Sequence, residues 1–388
     1  MIHMTTVVEF FRAALRFFRD ADVFLLVLGL VSSIFGTVMI SSVIRYLDTE
    51  GGEISVQIGA IVIGVILFVL FSYIDIDIIA DKSRLLFLFS LLFICTLLLW
   101  GTGEKEVGQR AWLRFGTIGV QPAEITKVPF IIIIARMIVS FKERKALNSF
   151  ISLMQILIVF AVIFGIILLV SQDVGTALIY FGILAIMMFA GGIQLRWFAL
   201  GAAVLTALTP LIWDNLFSQR HRDLIMAPFV PEVVDPTRTG VLWQPDQSVE
   251  AIATGGFTGQ GLGNGRLTQT GVIHAQHTDF IFSAVGEELG FIGCMVIVLL
   301  LVTIIIRCFY VGIKSNNPLG MLVCIGIAGK FIVHMIENIG MALGYLPVIG
   351  ITLPFFSYGG SSIVTCFAAL GIVSGIKMRP KPMRFRNL

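Results

Sequence analysis

Asn148-Ser-Phe-Ile-Ser-Leu-Met-Gln-Ile-Leu-Ile-Val-Phe-Ala-Val-Ile-Phe-Gly-Ile-Ile-Leu-Leu-Val170 runs for 23 residues without a charged side chain. About 20 apolar residues in a helix span the roughly 30 Å hydrocarbon core of a bilayer, so this stretch reads as a transmembrane helix. Comparable windows lie on either side of it, near 22–44, 55–78, 84–101 and 122–140, then 173–191, 194–213, 279–306, 319–345 and 358–376. The fold class is therefore an all-α membrane protein with ten transmembrane helices. The runs are continuous rather than alternating, which argues against an outer-membrane β-barrel. Composition agrees. Of 388 residues, 57% are hydrophobic and only 13% charged, where soluble domains carry about 25% charged residues. A soluble enzyme, a disordered chain and a secreted disulfide scaffold are excluded. All five cysteines (Cys95, Cys294, Cys308, Cys324, Cys366) fall in apolar runs and read as small buried hydrophobes, neither disulfide partners nor metal ligands. The net charge of +3 says little by itself, and no nucleic-acid partner is expected.

Basic residues in the connections set orientation. With the N-terminus inside, sixteen Lys and Arg fall on the cytoplasmic side, among them Arg12, Lys82, Arg144, Arg307 and Lys377. Only Arg45, Lys105, Arg110 and Arg114 fall in the short outer loops. Both termini are thus expected in the cytoplasm, with one large extracytoplasmic loop, 214–278, between helices seven and eight. Residues 1–21 read as a cytoplasmic interfacial amphipathic segment, since Arg12, Arg16 and Arg19 recur at helical spacing opposite Phe11, Leu15 and Phe18. A basic flank of the first span is the alternative. The membrane domain covers 22–376, and 377–388 is a basic cytoplasmic tail.

Charges inside a bilayer are expensive and mark candidate sites. Glu124 and Lys127 enter span four, Asp173 heads span six, Asp279 heads span eight with Glu287 and Glu288 deeper, and Lys330, His334 and Glu337 sit in span nine. In this orientation Glu124, Lys127, Asp173 and Asp279 gather toward the outer leaflet, which suits chemistry on the outer face. In Gln121-Pro-Ala-Glu-Ile-Thr-Lys127, proline starts the helix and Glu124 and Lys127 share a face. Either they form an ion pair that carries both into the membrane, or Lys127 reaches an anionic headgroup with Glu124 orienting it. Ser171-Gln-Asp-Val-Gly-Thr176 and His277-Thr-Asp279 both suit helix caps, with Thr278 the candidate cap of span eight. A dipole-stabilised Asp279 in the first turn would have a low pKa. The stretch Ala253 to Gly265 holds six glycines in thirteen residues. It is not a Walker loop, and a hinge or a phosphate-facing backbone are its two local explanations. Tyr345 to Ser362 holds two prolines and a run of small residues, and broken backbone at membrane depth must be buried in protein or line a cavity.

Together these motifs resemble one family, the SEDS (shape, elongation, division and sporulation) proteins of bacterial cell-wall assembly. The matching stretches are Gly108-Gln-Arg-Ala-Trp-Leu113, Gln121 to Lys127, Gln172-Asp-Val-Gly-Thr-Ala177, Gly255 to Gly265, His277 to Gly293, Asn338-Ile-Gly-Met341 and Leu346 to Ser362. They run in family order along essentially the whole chain. Asn338-Ile-Gly-Met341 and the short termini resemble the elongation member more than the division member. The resemblance implies a multi-pass protein of the bacterial cytoplasmic membrane, surrounded by membrane lipid. It implies a glycosyltransferase that polymerises lipid II, the undecaprenyl-pyrophosphoryl disaccharide-pentapeptide, on the outer face. It also implies a class B penicillin-binding protein as partner. The family's catalytic aspartate falls on Asp279, its outer-loop tryptophan on Trp112, and its polar pair on Glu124 and Lys127.

An α-linked pyrophosphate giving a β-1,4 link requires inversion, so one general base suffices, and Asp279 is the candidate. Lys127 and Arg110 are candidates to stabilise the leaving pyrophosphate. Asp173, His277 and Ser357 complete the expected substrate-binding set. No protein metal site is expected, although Mg²⁺ or Mn²⁺ at the pyrophosphate is chemically reasonable. The chain departs from the family at Ala111, where an arginine often precedes the tryptophan, and at His274-Ala275, where Pro-Glu often stands. Lys330 and Glu337 are not expected from the family pattern; they could pair with each other or with Asp or Glu elsewhere, and their role is unassigned. A lipid II flippase and a non-catalytic scaffold are the competing functions.

Overall fold

The computed structural model describes residues 17–47, 52–103, 109–116, 118–215 and 217–379. Most of the expected interfacial segment, 1–21, and of the tail, 377–388, lies outside them. The principal helices are α1 (Val23–Val43), α2 (Gly52–Tyr73), α3 (Ser83–Trp100), α4 (Pro122–Glu143), α5 (Phe150–Ser171), α6 (Val174–Gly191) and α7 (Leu195–Asn215). They continue with α8 (Trp243–Gly255), α9 (Ile281–Lys314), α10 (Pro318–Ala342) and α11 (Gly360–Met378). Among the described residues eight are long and apolar enough to cross a membrane, and the chain is a multi-pass membrane protein. The other two helices at expected spans are α4, which carries Glu124, Lys127 and Arg136, and α7, within which Leu195–Leu211 is an apolar stretch.

α11 lies at the centre, packed along α2. Small residues permit the approach, since a Cβ on Gly371 would stand 2.5 Å from the Phe68 carbonyl oxygen. At the α11 C-terminal end, fully buried Asp22 accepts from Arg307 Nε at 2.9 Å, and Lys377 Nζ lies 3.8 Å away. This clasp ties α1, α9 and α11 together. It also explains why α9 outruns the expected 279–306. The apolar window ends at Arg307, but a neutralised guanidinium lets the helix continue to Lys314.

A three-stranded antiparallel sheet, absent from the expected all-α fold, joins α3 to α4. Its strands are β1 (Gly101–Thr102), β2 (Trp112–Phe115) and β3 (Ile118–Val120), with Thr102 opposite Trp112 and Leu113 opposite Val120. These strands are too short to show an alternating pattern in the sequence.

The glycine-rich stretch has a structural use. α9 breaks at Gly290, whose φ of 67° and ψ of −162° are closed to other residues. The break orphans backbone groups on both sides, and the segment after α8 satisfies them. Phe291 N and Ile292 N donate to the carbonyls of Gly256 and Phe257, while Gln260 N and Gly261 N donate to those of Glu287 and Glu288. A Cβ on Gly259 would meet the Glu288 carbonyl oxygen at 2.2 Å. The side chains of Glu287 and Glu288 serve the same joint. Glu287 accepts from Leu267 N and Thr268 N at 2.8 Å and from Thr268 Oγ1 at 2.6 Å. Glu288 accepts from Ser42 Oγ, Gly263 N and Gln269 Nε2. Both carboxylates are fully buried. They hold the fold, and the backbone N–H groups of Gln260, Gly261 and Gly263 are engaged with α9.

Candidate functional site

The N-terminal ends of α4 and α6, the turn before α9 and the segment after α10 surround one cavity of about 1260 Å³. Asp279, Lys127, Glu124, Asp173, His277 and Trp112 all line it. Residues separated by up to 167 positions are thus brought to one chamber (279 − 112). Arg110 and Ser357 are not part of the lining.

Asp279 precedes α9 in a tight turn in which Thr278 N and Asp279 N both donate to the Ala275 carbonyl. Phe280 is the N-cap and makes no side-chain cap bond, and Thr278 Oγ1 donates back to Ala275 O at 3.1 Å. The expected Thr278 cap therefore does not form, and Asp279 is left free of capping duty. The expectation of a low pKa is also overturned. Withdrawal from bulk water is the dominant influence on Asp279, opposed by the Thr278 hydroxyl and reinforced by Asp173, and it pushes the carboxyl up to about 6.

Three consecutive carbonyls fix this turn. Tyr358 N donates to His277 O at 2.8 Å, Ser357 Oγ donates to Thr278 O, and Asn338 Nδ2 donates to Asp279 O at 2.7 Å. Asn338 Nδ2 also lies 2.6 Å from Ile351 O, so α10 holds the broken backbone of 345–359 against the aspartate. Gln57 on α2 secures that backbone from behind, donating to Ser357 O at 3.2 Å and accepting from Gly359 N at 3.3 Å. Ser357 thus supports the turn from behind. The Tyr358 ring lies 5.7 Å from that of His277, whose buried Nδ1 lacks a partner among the described residues.

Lys127, also in the cavity lining, is fully buried and donates to Glu124 Oε1. Burying an ammonium requires such a partner, and the pair is the i,i+3 contact expected from the sequence. Glu124 Oε2 is buried with no hydrogen-bond partner among the described residues. Asp173 caps α6 through Thr176 N at 2.8 Å, and its other oxygen accepts from Thr176 Oγ1 at 2.7 Å and Gln121 Nε2 at 3.1 Å. Its structural and cavity-lining roles coexist. Trp112 sits on β2 against Gly119, and Arg110 is held near it with its N–H bonded to Ser171 O at 3.0 Å.

The cavity also includes His334, Arg114, Arg220 and His221, which are outside the expected site. His334 was legible in principle, since Lys330, His334 and Asn338 recur every four residues as a polar stripe on α10. Lys330 is fully buried and points to Cys366 Sγ at 3.7 Å, and no ion pair with Glu337 forms. Among the described residues no cluster of three His, Cys, Asp or Glu could hold a metal.

A bundle of membrane-crossing helices around a charged, half-enclosed cavity defines a polytopic protein that handles a polar group at the membrane. The chain belongs to the FtsW/RodA/SpoVE cell cycle protein family, also called SEDS, whose model matches residues 22–381. It is 35% identical to the probable peptidoglycan glycosyltransferase FtsW of Trichlorobacter lovleyi over 295 residues, 75% of each chain. It is 29% identical to the peptidoglycan glycosyltransferase MrdB of Escherichia coli over 332 residues, 85% of this chain and 87% of that one. Among solved structures, a chain of a peptidoglycan synthase complex that coordinates polymerisation and crosslinking superposes with a TM-score of 0.76 at 25% identity, covering 92% of this chain and 98% of that one. The rod shape determining protein RodA of Thermus thermophilus shares the fold, with a TM-score of 0.67 at 24% identity over 92% of this chain and 97% of that one.

Proposed function

We propose that the protein is a peptidoglycan glycosyltransferase that polymerises lipid II into β-1,4 glycan strands on the outer face of the cytoplasmic membrane during cell elongation. The observation that carries this is a single cavity lined by both the Asp279 carboxylate and a buried Lys127–Glu124 pair. Asp279 takes the proton from the acceptor sugar's 4-hydroxyl as that oxygen attacks the donor's anomeric carbon. The bond to undecaprenyl pyrophosphate breaks on the opposite side, inverting the centre. Negative charge grows on the departing phosphate, and the Lys127 ammonium stabilises it. Trp112 offers an apolar face to a sugar ring, and His277 with Tyr358 a second one.

Relatives named as glycosyltransferases support the reaction, and Asn338-Ile-Gly-Met341 favours the elongation role. The proposed topology has ten spans, counting α4 and α7, with both termini in the cytoplasm and 214–278 outside. The interfacial segment 1–21 and the basic tail 377–388 then flank the 22–376 domain on the cytoplasmic side. A class B penicillin-binding protein is the proposed partner, in keeping with the similar chain found in a synthase complex. A flippase would need polar lining through both leaflets, whereas the α4, α6 and pre-α9 contributions to this cavity come from one end of the bundle. Purified protein with its partner should convert lipid II to glycan strands resolved by gel, and no product under these conditions would overturn the proposal.

A further inference from the structure

The Lys127 ammonium has a second partner that the proposed reaction does not name. His334 Nε2 lies 3.0 Å from Lys127 Nζ, and His334 Nδ1 lies 3.1 Å from the Thr352 carbonyl oxygen. A carbonyl only accepts, so Nδ1 carries the proton. The opposite nitrogen is then a lone-pair acceptor aimed at the ammonium, and the ring is neutral. An ammonium has three N–H groups. Glu124 Oε1 takes one and His334 Nε2 another, which leaves one available to a group in the cavity that Lys127 lines. Thr352 also belongs to the segment that Asn338 and Ser357 clamp to the Asp279 turn. His334 therefore joins Lys127 to the segment that holds the Asp279 turn.

We infer that His334, as the Nδ1–H tautomer, is a positioning residue that holds Lys127 with its free N–H toward the leaving phosphate and in fixed register with the Asp279 turn. The inference rests on the glycosyltransferase proposal and sharpens it. An amide can offer the same donor–acceptor pair, with its NH₂ on Thr352 O and its oxygen accepting from Lys127. A phenyl ring fills the space and offers neither.

The test is steady-state polymerisation of lipid II by the complex with its partner, for wild type, His334→Phe, His334→Gln, Lys127→Met and the double variant His334→Phe/Lys127→Met. Thermal unfolding and partner binding are measured alongside. His334→Phe should lower kcat by about 10- to 100-fold, the range for losing one hydrogen bond to a charged group, with KM nearly unchanged. His334→Gln should recover most of kcat, and the double variant should be no slower than Lys127→Met alone. If His334→Phe keeps wild-type kcat, or if well-folded His334→Gln is as slow as His334→Phe, the inference is overturned. Should His334→Phe not fold, His334→Leu, which likewise offers neither donor nor acceptor, replaces it in both comparisons. Absence of product with wild type would instead overturn the glycosyltransferase proposal itself.

Discussion

Asp279 sits outside α9, half-buried in the cavity wall, with its backbone fixed by Asn338 and its side chain making no cap. Burial raises its carboxyl to about 6. A base works only when deprotonated, so activity should be full above neutral pH and fall about tenfold per pH unit below 6. A pH profile of kcat checks this, and a profile flat down to pH 5 would restore the low-pKa, dipole-stabilised aspartate. The sequence displayed Asp279, Lys127 and Glu124 clearly, because charges at helix starts in a chain this apolar stand out. It did not display the environment that sets the Asp279 pKa, since dipole and burial push in opposite directions and only the packed cavity decides between them. Nor did residue type alone separate Glu287 and Glu288, which serve the fold, from Asp279, because all three are acidic residues near the start of one apolar run. Arg110 and Ser357 stood near site motifs in the chain, yet neither lines the cavity.

At the scale of elements, the joint between the glycine-rich segment and the α9 break carries the most specific packing in the molecule. Gly259 has a φ of 80°, and its missing Cβ leaves room for the Glu288 carbonyl. Gly259→Ala combines a backbone clash with a left-handed conformation and should destabilise by on the order of 3 kcal/mol or more. Thermal unfolding in detergent measures this, and an unchanged Tm would show that the joint yields without cost. The glycines were obvious in the sequence, but their partner is the exposed backbone of a helix break about 30 residues away, and no composition signal reports a kink in so apolar a run. Helices were legible wherever apolar windows were long. They were less so at α4, where the Lys127–Glu124 pair and Arg136 interrupt the window, and at α9, where the Asp22 clasp extends the helix past Arg307.

At the scale of the whole molecule, the proposed topology has 214–278 outside and the connections bearing Lys82, Arg144 and Lys314 in the cytoplasm. Single cysteines placed at Thr239 and at Arg144 in a cysteine-free background should react with an impermeant thiol reagent in intact cells only at Thr239. Labelling at Arg144 instead would invert the topology and put the cavity on the wrong face for an outer-leaflet reaction. The central claim is that Asp279 is the base of a glycosyl transfer, and the most direct measurement compares wild type with Asp279→Asn in polymerisation of purified lipid II, with the partner protein bound in both. The account predicts glycan strands from wild type and none from Asp279→Asn while partner binding and thermal stability persist. Undiminished polymer from the Asn variant would contradict it.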